Sequence, residues 1–371
     1  MAFDHGGTIY AAARALGCHP SEILDLSASI NPLGLSPAVR SACQSALELV
    51  PHYPDPAAQR LTAALGAHFQ VPDASVLPAN GSTRLIHLLP QVVPGSRGLI
   101  VAPAFSEYAR ALTRHHWQVD YHLLSPDDGF RLELEPLVEE MRRLRPQLLF
   151  LCNPANPSGT LYPPRQLLEL LDRCAQTGTL LVLDEAFMDF CGEEHSAVAA
   201  VVQGGRGIIL RSLTKFYALA GLRLGCALAS PALIELLCAA LPPWEVNTMA
   251  QFAGAAALAD HQYAADTREL IHDERALLAD TLARLPGITV FPSTTNYLLL
   301  RLGPPLAAPS LQRVLLEKHR ILVRDCSNFV GLDQRFVRVA VRNRPENERL
   351  IEAMRETLQP TTRPGGETVH D

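Results

Sequence analysis

Two titratable side chains in the sequence follow apolar runs that are typical of buried strands. Asp184 directly follows one such run, and Ser212 ends the next run, three residues before Lys215. The chain contains two lysines, Lys215 and Lys318, so an amine nucleophile has two candidates. Because ligands of α/β proteins bind at the carboxyl ends of strands, we expect Asp184 and Lys215 to face one crevice.

These residue types suit the chemistry of pyridoxal phosphate. A lysine forms a Schiff base with an aldehyde, and a nearby carboxylate keeps a pyridinium nitrogen protonated, which makes the ring an electron sink. Ser212 and Thr214 offer hydroxyls to a phosphate, and Arg223 offers a planar fork to the same group. The alternative for each residue alone is a surface lysine or a helix-capping aspartate. The ordered set favours the cofactor site.

Two further motifs are compatible with this cofactor. The turn over 153–159 follows an apolar run, and Asn156 within it could donate to the ring hydroxyl, although an ordinary turn is the alternative. The segment Asn80-Gly81-Ser82-Thr83 precedes an apolar helical stretch, so its amides and hydroxyls would form an anion site at a helix N-terminus. Any helix cap gives a similar pattern, so this second motif is the weaker one.

The apolar pattern predicts the elements that position these residues. From about residue 75 to 230, short apolar runs alternate with helix-length segments, which predicts an α/β domain with a mostly parallel sheet covered by helices. The predicted strands are 98–102, 147–152, 179–184 and 207–212, followed by strands 296–302 and 336–341 around a helix near 310–320. Helical spacing over 245–285 predicts one long connecting helix.

This pattern divides the chain into a large and a small domain. The predicted parts are an N-terminal arm with part of the small domain (1–45), the large cofactor-binding domain (46–245), the connecting helix (246–285), a small α+β C-terminal domain (286–358) and a disordered tail (359–371).

Composition excludes several classes of protein. The chain of 371 residues has a net charge of −6 and no block of like charge, so we expect no nucleic-acid partner. No apolar run is long enough to span a membrane, and residues 1–5 lack the features of a signal peptide. The eight cysteines form no CxxC pair, which indicates a reducing cytoplasm. His52, His115 and His116 lack further ligands at metal-binding spacing, so no metal is predicted. No G-x-G-x-x-G motif follows a predicted strand, which excludes a nicotinamide site.

From residue 5 to about 358 the sequence resembles the fold-type I pyridoxal-phosphate enzymes of the aspartate aminotransferase superfamily. It is broadly similar to the histidinol-phosphate aminotransferases and most similar to the threonine-phosphate decarboxylase branch of cobalamin synthesis. The motifs that carry this resemblance are His5-Gly6-Gly7, Leu26–Gly34, Tyr53–Pro56, Asn80–Thr83, Pro103–Tyr108, Asn153–Gly159, Asp184–Phe187 and Ser212–Lys215.

The resemblance implies a role for each matching residue at the cofactor. Lys215 would hold the cofactor aldehyde, Asp184 the pyridine nitrogen and Asn156 the ring hydroxyl, while Phe105 would stack on the ring. The cofactor phosphate would be bound by residues of three motifs, Gly81, Ser82, Thr83, Ser212, Thr214 and Arg223. Tyr53 would reach this phosphate from a neighbouring subunit, which implies a homodimer. Phe187 stands where many aminotransferases have a tyrosine, a departure that agrees with the decarboxylase branch.

The resemblance also implies a small phosphorylated amino acid as the substrate. Arg338 would bind the α-carboxylate and Arg324 the substrate phosphate, with His5 and Asn31 as further candidates for these contacts. The expected reaction is pyridoxal-phosphate-dependent decarboxylation of L-threonine O-3-phosphate. The alternative is an aminotransferase acting on histidinol phosphate or a related phosphorylated amine or amino acid. The sequence leaves open which arginine binds the phosphate, and whether threonine or serine phosphate is preferred.

Overall fold

The computed structural model of the chain describes residues 5–358. The strands are β1 (Leu24–Asp25), β2 (Val76–Ala79), β3 (Arg97–Ala102), β4 (Gln118–Leu123), β5 (Leu148–Cys152), β6 (Leu180–Asp184), β7 (Gly207–Ser212), β8 (Gly225–Ala229), β9 (Ile288–Val290), β10 (Tyr297–Leu302), β11 (Ile321–Leu322), β12 (Arg324–Asp325) and β13 (Phe336–Ala340). The α-helices are α1 (Ile9–Leu16), α2 (Pro37–Leu47), α3 (Gln59–Phe69), α4 (Ser82–Val92), α5 (Glu107–Arg114), α6 (Leu134–Leu144), α7 (Pro164–Thr177), α8 (Val198–Gly204), α9 (Leu213–Phe216), α10 (Pro231–Ala239), α11 (Thr248–Ala259), α12 (His261–Ala283), α13 (Ala308–His319) and α14 (Arg344–Leu358). The predicted disordered tail over 359–371 lies outside the described residues.

The large domain contains a seven-stranded sheet in the order β2-β8-β7-β6-β5-β3-β4. Strand β8 runs antiparallel to both of its neighbours, and the other neighbouring strands are parallel. The four strands predicted for this sheet are confirmed as β3, β5, β6 and β7, each to within one residue. The predicted mostly parallel α/β architecture is therefore confirmed.

Apolar side chains cover both faces of this sheet. Along β6, Val182 packs into one apolar cluster and Leu183 packs into a second cluster on the opposite face. Successive side chains of a strand point to opposite faces. Asp184 therefore lies on the same side as Val182, and Glu185 continues on the side of Leu183.

A buried ion cluster joins the carboxyl ends of β6 and β7 on the Glu185 side. The side chain of Arg211 is fully buried. Its guanidinium contacts the carboxylates of Glu185 at 2.9 Å, Asp189 at 3.1 Å and Glu193. Glu185 also accepts a hydrogen bond of 2.6 Å from the Ser196 hydroxyl. These four charged residues, hereafter the Arg211 cluster, hold the ends of the two strands together.

The small domain is built on the antiparallel sheet β12-β13-β10-β9. The strands predicted near 296–302 and 336–341 are confirmed as β10 and β13, and the predicted helix between them is α13. Arg324 and Arg338 are register partners in β12 and β13, so their side chains project from the same face of the sheet. The N-terminal part of the chain joins this domain because β1 pairs in parallel with β11.

The segment between the domains is two helices, and the prediction of a single connecting helix is wrong. Asp260 ends α11, and its side chain accepts a hydrogen bond of 3.1 Å from the Tyr263 amide at the start of α12. Capping by an aspartate favours a new helix start, which apolar spacing alone does not show. Between residues 5 and 358, no helix has the combination of length and apolar character that membrane crossing requires.

Replacing Arg211 tests the buried ion cluster. The Arg211→Met change leaves the carboxylate of Glu185 buried without its cation, so we expect the free energy of unfolding to fall by about 3–5 kcal/mol. Arg173→Met is the matched control, because it breaks half-exposed ion pairs with Glu135 and Glu169 and is expected to cost about 1 kcal/mol or less. Urea denaturation of both variants makes the comparison, and equal losses would contradict the structural role of the cluster.

Candidate active site

A solvent-open cavity lies between the carboxyl ends of β5 and β6 and the small-domain sheet. It is lined by residues of both domains, which agrees with the expectation that one crevice collects the predicted residues. The predicted site residues that line it are His5, Ser82, Thr83, Phe105, Asn156, Asp184, Lys215, Arg223, Arg324 and Arg338.

Three more predicted residues lie directly beside the lining. The Ser212 hydroxyl is 3.2 Å from the Lys215 Nζ and 2.7 Å from the Thr214 hydroxyl. Gly81 precedes α4 with a φ of +80°, and a Cβ at this position would lie 2.9 Å from a guanidinium nitrogen of Arg223. The backbone conformation therefore favours glycine at this position, and the absence of a side chain lets the arginine approach closely.

The side chain of Asn31 does not line the cavity, in contrast to its predicted substrate contact. Its amide nitrogen is within hydrogen-bond distance of the Phe216 carbonyl at 2.7 Å, and of hydroxyl oxygens of Tyr263 and Thr267. Its backbone amide donates to the carbonyl of Lys215 at 3.0 Å. Buried polar groups need such partners, so Asn31 supports the segment that carries Lys215.

Tyr53 also lies outside the cavity of its own chain. Its side chain is 80% exposed and stacks on Trp244, with the ring centroids 4.5 Å apart.

Burial shifts the pKa values of the two central titratable groups in opposite directions. Burial raises the pKa of Asp184, although Tyr108, Lys215 and the Ala186 amide each lower it. Burial lowers the pKa of Lys215 to about 8, against the opposing effect of Asp184. Roughly one tenth of such amines are neutral at pH 7, so Lys215 can act as a nucleophile near neutral pH.

Tyr108 is a site residue that the sequence analysis did not assign. Its hydroxyl donates to Asp184 Oδ2 at 2.6 Å, and the Ala186 amide donates to Oδ1 at 3.0 Å. The Tyr108 ring is fully buried and stacks on Phe150. The residue is present in the Pro103–Tyr108 motif, but its type alone does not distinguish it from a core tyrosine.

Arg338 is a buried cation without an anionic partner among residues 5–358. Its exposure is 7%, and its guanidinium donates to two neutral acceptors, the Ser27 carbonyl at 2.9 Å and the Asn156 side-chain oxygen. Its Nε atom is buried with no hydrogen-bond partner in the described residues. A buried charge of this kind is costly unless an anion compensates it. Arg324, its neighbour across the sheet, donates to the Asn328 side chain at 2.7 Å.

The groups around the cavity fit pyridoxal phosphate. Asp184 is a buried carboxylate with no ion pair among the described residues, as a partner of a pyridinium nitrogen requires. The N-terminus of α4 lies beside the guanidinium of Arg223, and both are suited to a phosphate. Lys215 provides the amine, so an anionic, a cationic and a nucleophilic group are all present for this cofactor.

A second group of ligand-type side chains lies away from the cavity. His68, Asp189 and Glu193 place one ligand atom each within 4.8 Å of the others. Both carboxylates already contact Arg211, whose positive charge opposes a metal cation at this position. These residues belong with the Arg211 cluster.

Comparison with known proteins gives concordant matches over most of the chain. A family profile described as aminotransferase class I and II matches residues 21–354. A threonine-phosphate decarboxylase of Salmonella typhimurium is 41% identical over 95% of this chain and 96% of its own length. The crystal structure of L-threonine-O-3-phosphate decarboxylase from Porphyromonas gingivalis is 28% identical, with a TM-score of 0.81 and coverage of 91% of this chain and 100% of that chain. Histidinol-phosphate aminotransferase from Clostridium acetobutylicum is 26% identical, with a TM-score of 0.84 and coverage of 90% and 99%.

The hydrogen bond between Tyr108 and Asp184 has a testable dependence on pH. Tyr108→Phe removes a donor that lowers the pKa of Asp184, so the folded-state pKa of this carboxyl rises further above its unfolded value. A raised folded-state pKa makes the fold less stable as pH rises past the unfolded value. The loss in unfolding free energy should therefore be larger at pH 7, about 1–3 kcal/mol, than at a pH near 4, where a free aspartate is about half protonated.

Tyr162→Phe is the control for this experiment. Its hydroxyl is also buried, but it donates to the carbonyl of Phe130 at 3.3 Å, and no carboxylate of the described residues accepts from it. Denaturant titrations at the two pH values should give the same loss for Tyr162→Phe. A loss for Tyr108→Phe that does not change with pH would contradict the predicted coupling to Asp184.

Proposed function

This chain belongs to the class I and II aminotransferase family, and we propose that it is a pyridoxal-phosphate-dependent decarboxylase. The substrate is L-threonine O-3-phosphate, and the product is (R)-1-amino-2-propanol O-2-phosphate for the nucleotide loop of cobalamin. The observation that carries this proposal is the buried, uncompensated Arg338 in the same cavity as Lys215 and Asp184. The 41% identity to a threonine-phosphate decarboxylase over nearly the whole chain supports the same conclusion.

The cofactor would be held by side chains that line the cavity. When bound, pyridoxal phosphate supplies an electron sink for the electron pair left by a broken bond at the substrate α-carbon. Asp184 would hold the ring nitrogen, since a buried carboxylate gains most from a cationic partner. The side-chain oxygen of Asn156 accepts a hydrogen bond from Arg338. The side-chain amide nitrogen of Asn156 is therefore left to donate to the ring hydroxyl.

A second set of groups would bind the cofactor phosphate and ring face. Backbone amides and hydroxyls at the start of α4 would donate to the phosphate, with Arg223 as the charged partner. The residues of this set are Gly81, Ser82, Thr83, Ser212, Thr214 and Arg223, and Phe105 would stack on the ring.

Lys215 would hold and move protons as well as bind the cofactor aldehyde. Its Nζ has a pKa of about 8, so it can both accept and return a proton near neutral pH. Loss of carbon dioxide leaves the α-carbon in need of one proton. Lys215 is the titratable amine of the cavity, so we assign it the delivery of this proton.

The two arginines of the small-domain sheet would bind the two anionic ends of the substrate. Arg338 would bind the α-carboxylate and Arg324 the phosphate, with His5 at the cavity mouth as a further phosphate contact. Their side chains share one face of the sheet, and planar forks suit both kinds of anion. Arg338 would thereby set the orientation of the bond that breaks.

We propose that the active form is a homodimer in the cytoplasm. Tyr53 is exposed and stacked on Trp244, and the nearby Leu47, Leu49 and Val50 are exposed as well. Exposed apolar residues of this kind indicate a protein interface. Tyr53 would then reach the cofactor phosphate of the second copy. All eight cysteines are free thiols, which agrees with a reducing compartment.

The attachment of the cofactor to Lys215 is tested by substitution. Lys215→Ala should abolish the visible absorbance of the holoenzyme, because the amine that holds the aldehyde is lost. Borohydride reduction followed by intact mass measurement should show no covalent adduct in this variant. The control is Lys318→Ala, which removes the other lysine, at the end of α13, and should retain the adduct. An adduct that persists in Lys215→Ala and disappears in Lys318→Ala would reverse the assignment.

The products formed from threonine phosphate decide the reaction. We expect carbon dioxide to be released without a keto acid, and kcat/KM for unphosphorylated threonine to be about 100-fold lower because its phosphate contacts are lost. Serine phosphate in the same assay shows which side chain is preferred. If turnover requires 2-oxoglutarate and no carbon dioxide appears, the enzyme is an aminotransferase instead.

Mixed dimers test the proposed role of Tyr53. Lys215→Ala lacks its own amine but provides Tyr53, whereas Tyr53→Ala provides an intact lysine. When the two variant chains pair at random, half of the dimers are heterodimers, and each heterodimer has one complete site out of two. At limiting cofactor the mixture should therefore recover roughly one quarter of the wild-type activity. Native mass spectrometry verifies that heterodimers form. Heterodimers without recovered activity would contradict a shared site.

A further inference from the structure

The mouth of the cavity carries a carboxylate between two imidazoles. Glu107 accepts from His5 Nε2 at 2.7 Å through one oxygen and from His87 Nε2 at 2.8 Å through the other. Arg110 also donates to Glu107, at 3.0 Å. Burial alone would raise the pKa of Glu107, but the hydrogen bonds from His87, His5 and Arg110 lower it overall. Glu107 is therefore a charged acceptor at neutral pH.

The segment His5-Gly6-Gly7 is bound at both of its ends. A Cβ at Gly6 would lie 2.1 Å from the Ser27 carbonyl oxygen, and the Gly7 amide donates to the Ser27 hydroxyl at 2.9 Å. The same Ser27 carbonyl accepts from Arg338. Ser27 follows β1, which pairs with the small domain, whereas Glu107 begins α5 of the large domain. The segment therefore crosses the cavity mouth from one domain to the other.

Within residues 5–358, the His87 ring has a single hydrogen-bond partner, Glu107. Its Nδ1 is buried and unpartnered in the described part of the chain, so the single contact with Glu107 orients the ring. His87 lies on α4, whose first turn faces the cavity. His87 in turn fixes the second oxygen of Glu107.

We propose that Glu107, supported by His87, is a positioning residue for the substrate phosphate. Glu107 binds Nε2 of His5 and thereby fixes the position of the His5-Gly6 segment at the cavity, which both His5 and Gly6 line. When this segment is held in place before the substrate binds, substrate binding no longer includes the entropic cost of ordering the segment. The inference rests on the proposed phosphorylated substrate and adds the residues that prepare its phosphate site.

Steady-state kinetics of Glu107→Gln in the holoenzyme test this proposal. The amide cannot accept from both imidazoles and Arg110, so the His5 segment loses its fixed position. We expect KM for threonine phosphate to rise about tenfold or more, with kcat changed less than about threefold. Competitive inhibition by inorganic phosphate should weaken by a similar factor. His5→Gln should give the same pattern, and the double variant should add little to it.

Glu140→Gln is the matched control. Glu140 also accepts from an imidazole, His122 Nδ1 at 2.9 Å, and neither residue lines the cavity. KM and phosphate inhibition should be unchanged in this variant. Because Glu107→Gln could impair folding, His87→Leu and His87→Gln provide a second pair. The leucine removes the donor and should raise KM, and the glutamine restores a donor and should recover most of the loss.

The outcomes separate this inference from the proposed function. If the wild-type enzyme releases carbon dioxide but Glu107→Gln matches Glu140→Gln, the positioning role is wrong and the decarboxylase assignment remains. A fall in kcat and cofactor affinity with unchanged KM would also overturn the positioning role, because it indicates a general structural defect. If the enzyme proves to be an aminotransferase for a phosphorylated substrate, the same phosphate-inhibition measurement still tests Glu107.

Discussion

The pairing of Arg211 with Glu185 is the interaction on which the active-site geometry depends. The two residues are buried on one face of the large sheet, at the ends of β6 and β7. Because side chains alternate along strands, their sequence neighbours Asp184 and Ser212 lie on the opposite face, towards the cavity. A charge pair that is costly to break on one face thus fixes the spacing of Asp184 and Ser212 on the other.

The Lys215 segment is held from a second direction by the N-terminal part of the chain. Asn31 binds the backbone of this segment, and Ser27 binds both Gly7 and Arg338. Residues close together in the sequence therefore contact the lysine segment and the small-domain arginine. This arrangement couples the position of the amine to that of the proposed carboxylate site, although the two lie on different domains.

The strands and the central pair of residues could be predicted because both follow from local sequence. Apolar runs identify β3, β5, β6 and β7, and the carboxyl ends of these strands locate Asp184 and Lys215. The role of Asn31 could not be predicted, because its partners in α12 are more than 230 residues away and buried contacts over such separations leave no local pattern. The contact between His5 and Glu107 could not be predicted for the same reason, because the two residues are 102 positions apart in the sequence. The break at Asp260 depends on one capping residue within an otherwise helical segment.

The charges of the cavity bear on which reaction the shared scaffold performs. Three arginines line it, namely Arg223, Arg324 and Arg338. Cofactor and threonine phosphate together bring three anionic groups, two phosphates and one carboxylate, whereas histidinol phosphate has no carboxylate and brings one fewer. In an aminotransferase the keto acid brings its own α-carboxylate in the other half-reaction, so Arg338 would be compensated then and would keep only neutral acceptors while histidinol phosphate is bound. In the proposed decarboxylase the carboxylate that compensates Arg338 would be the group that is lost, so a residue placed by β13 and by the Ser27 carbonyl would orient the bond that breaks.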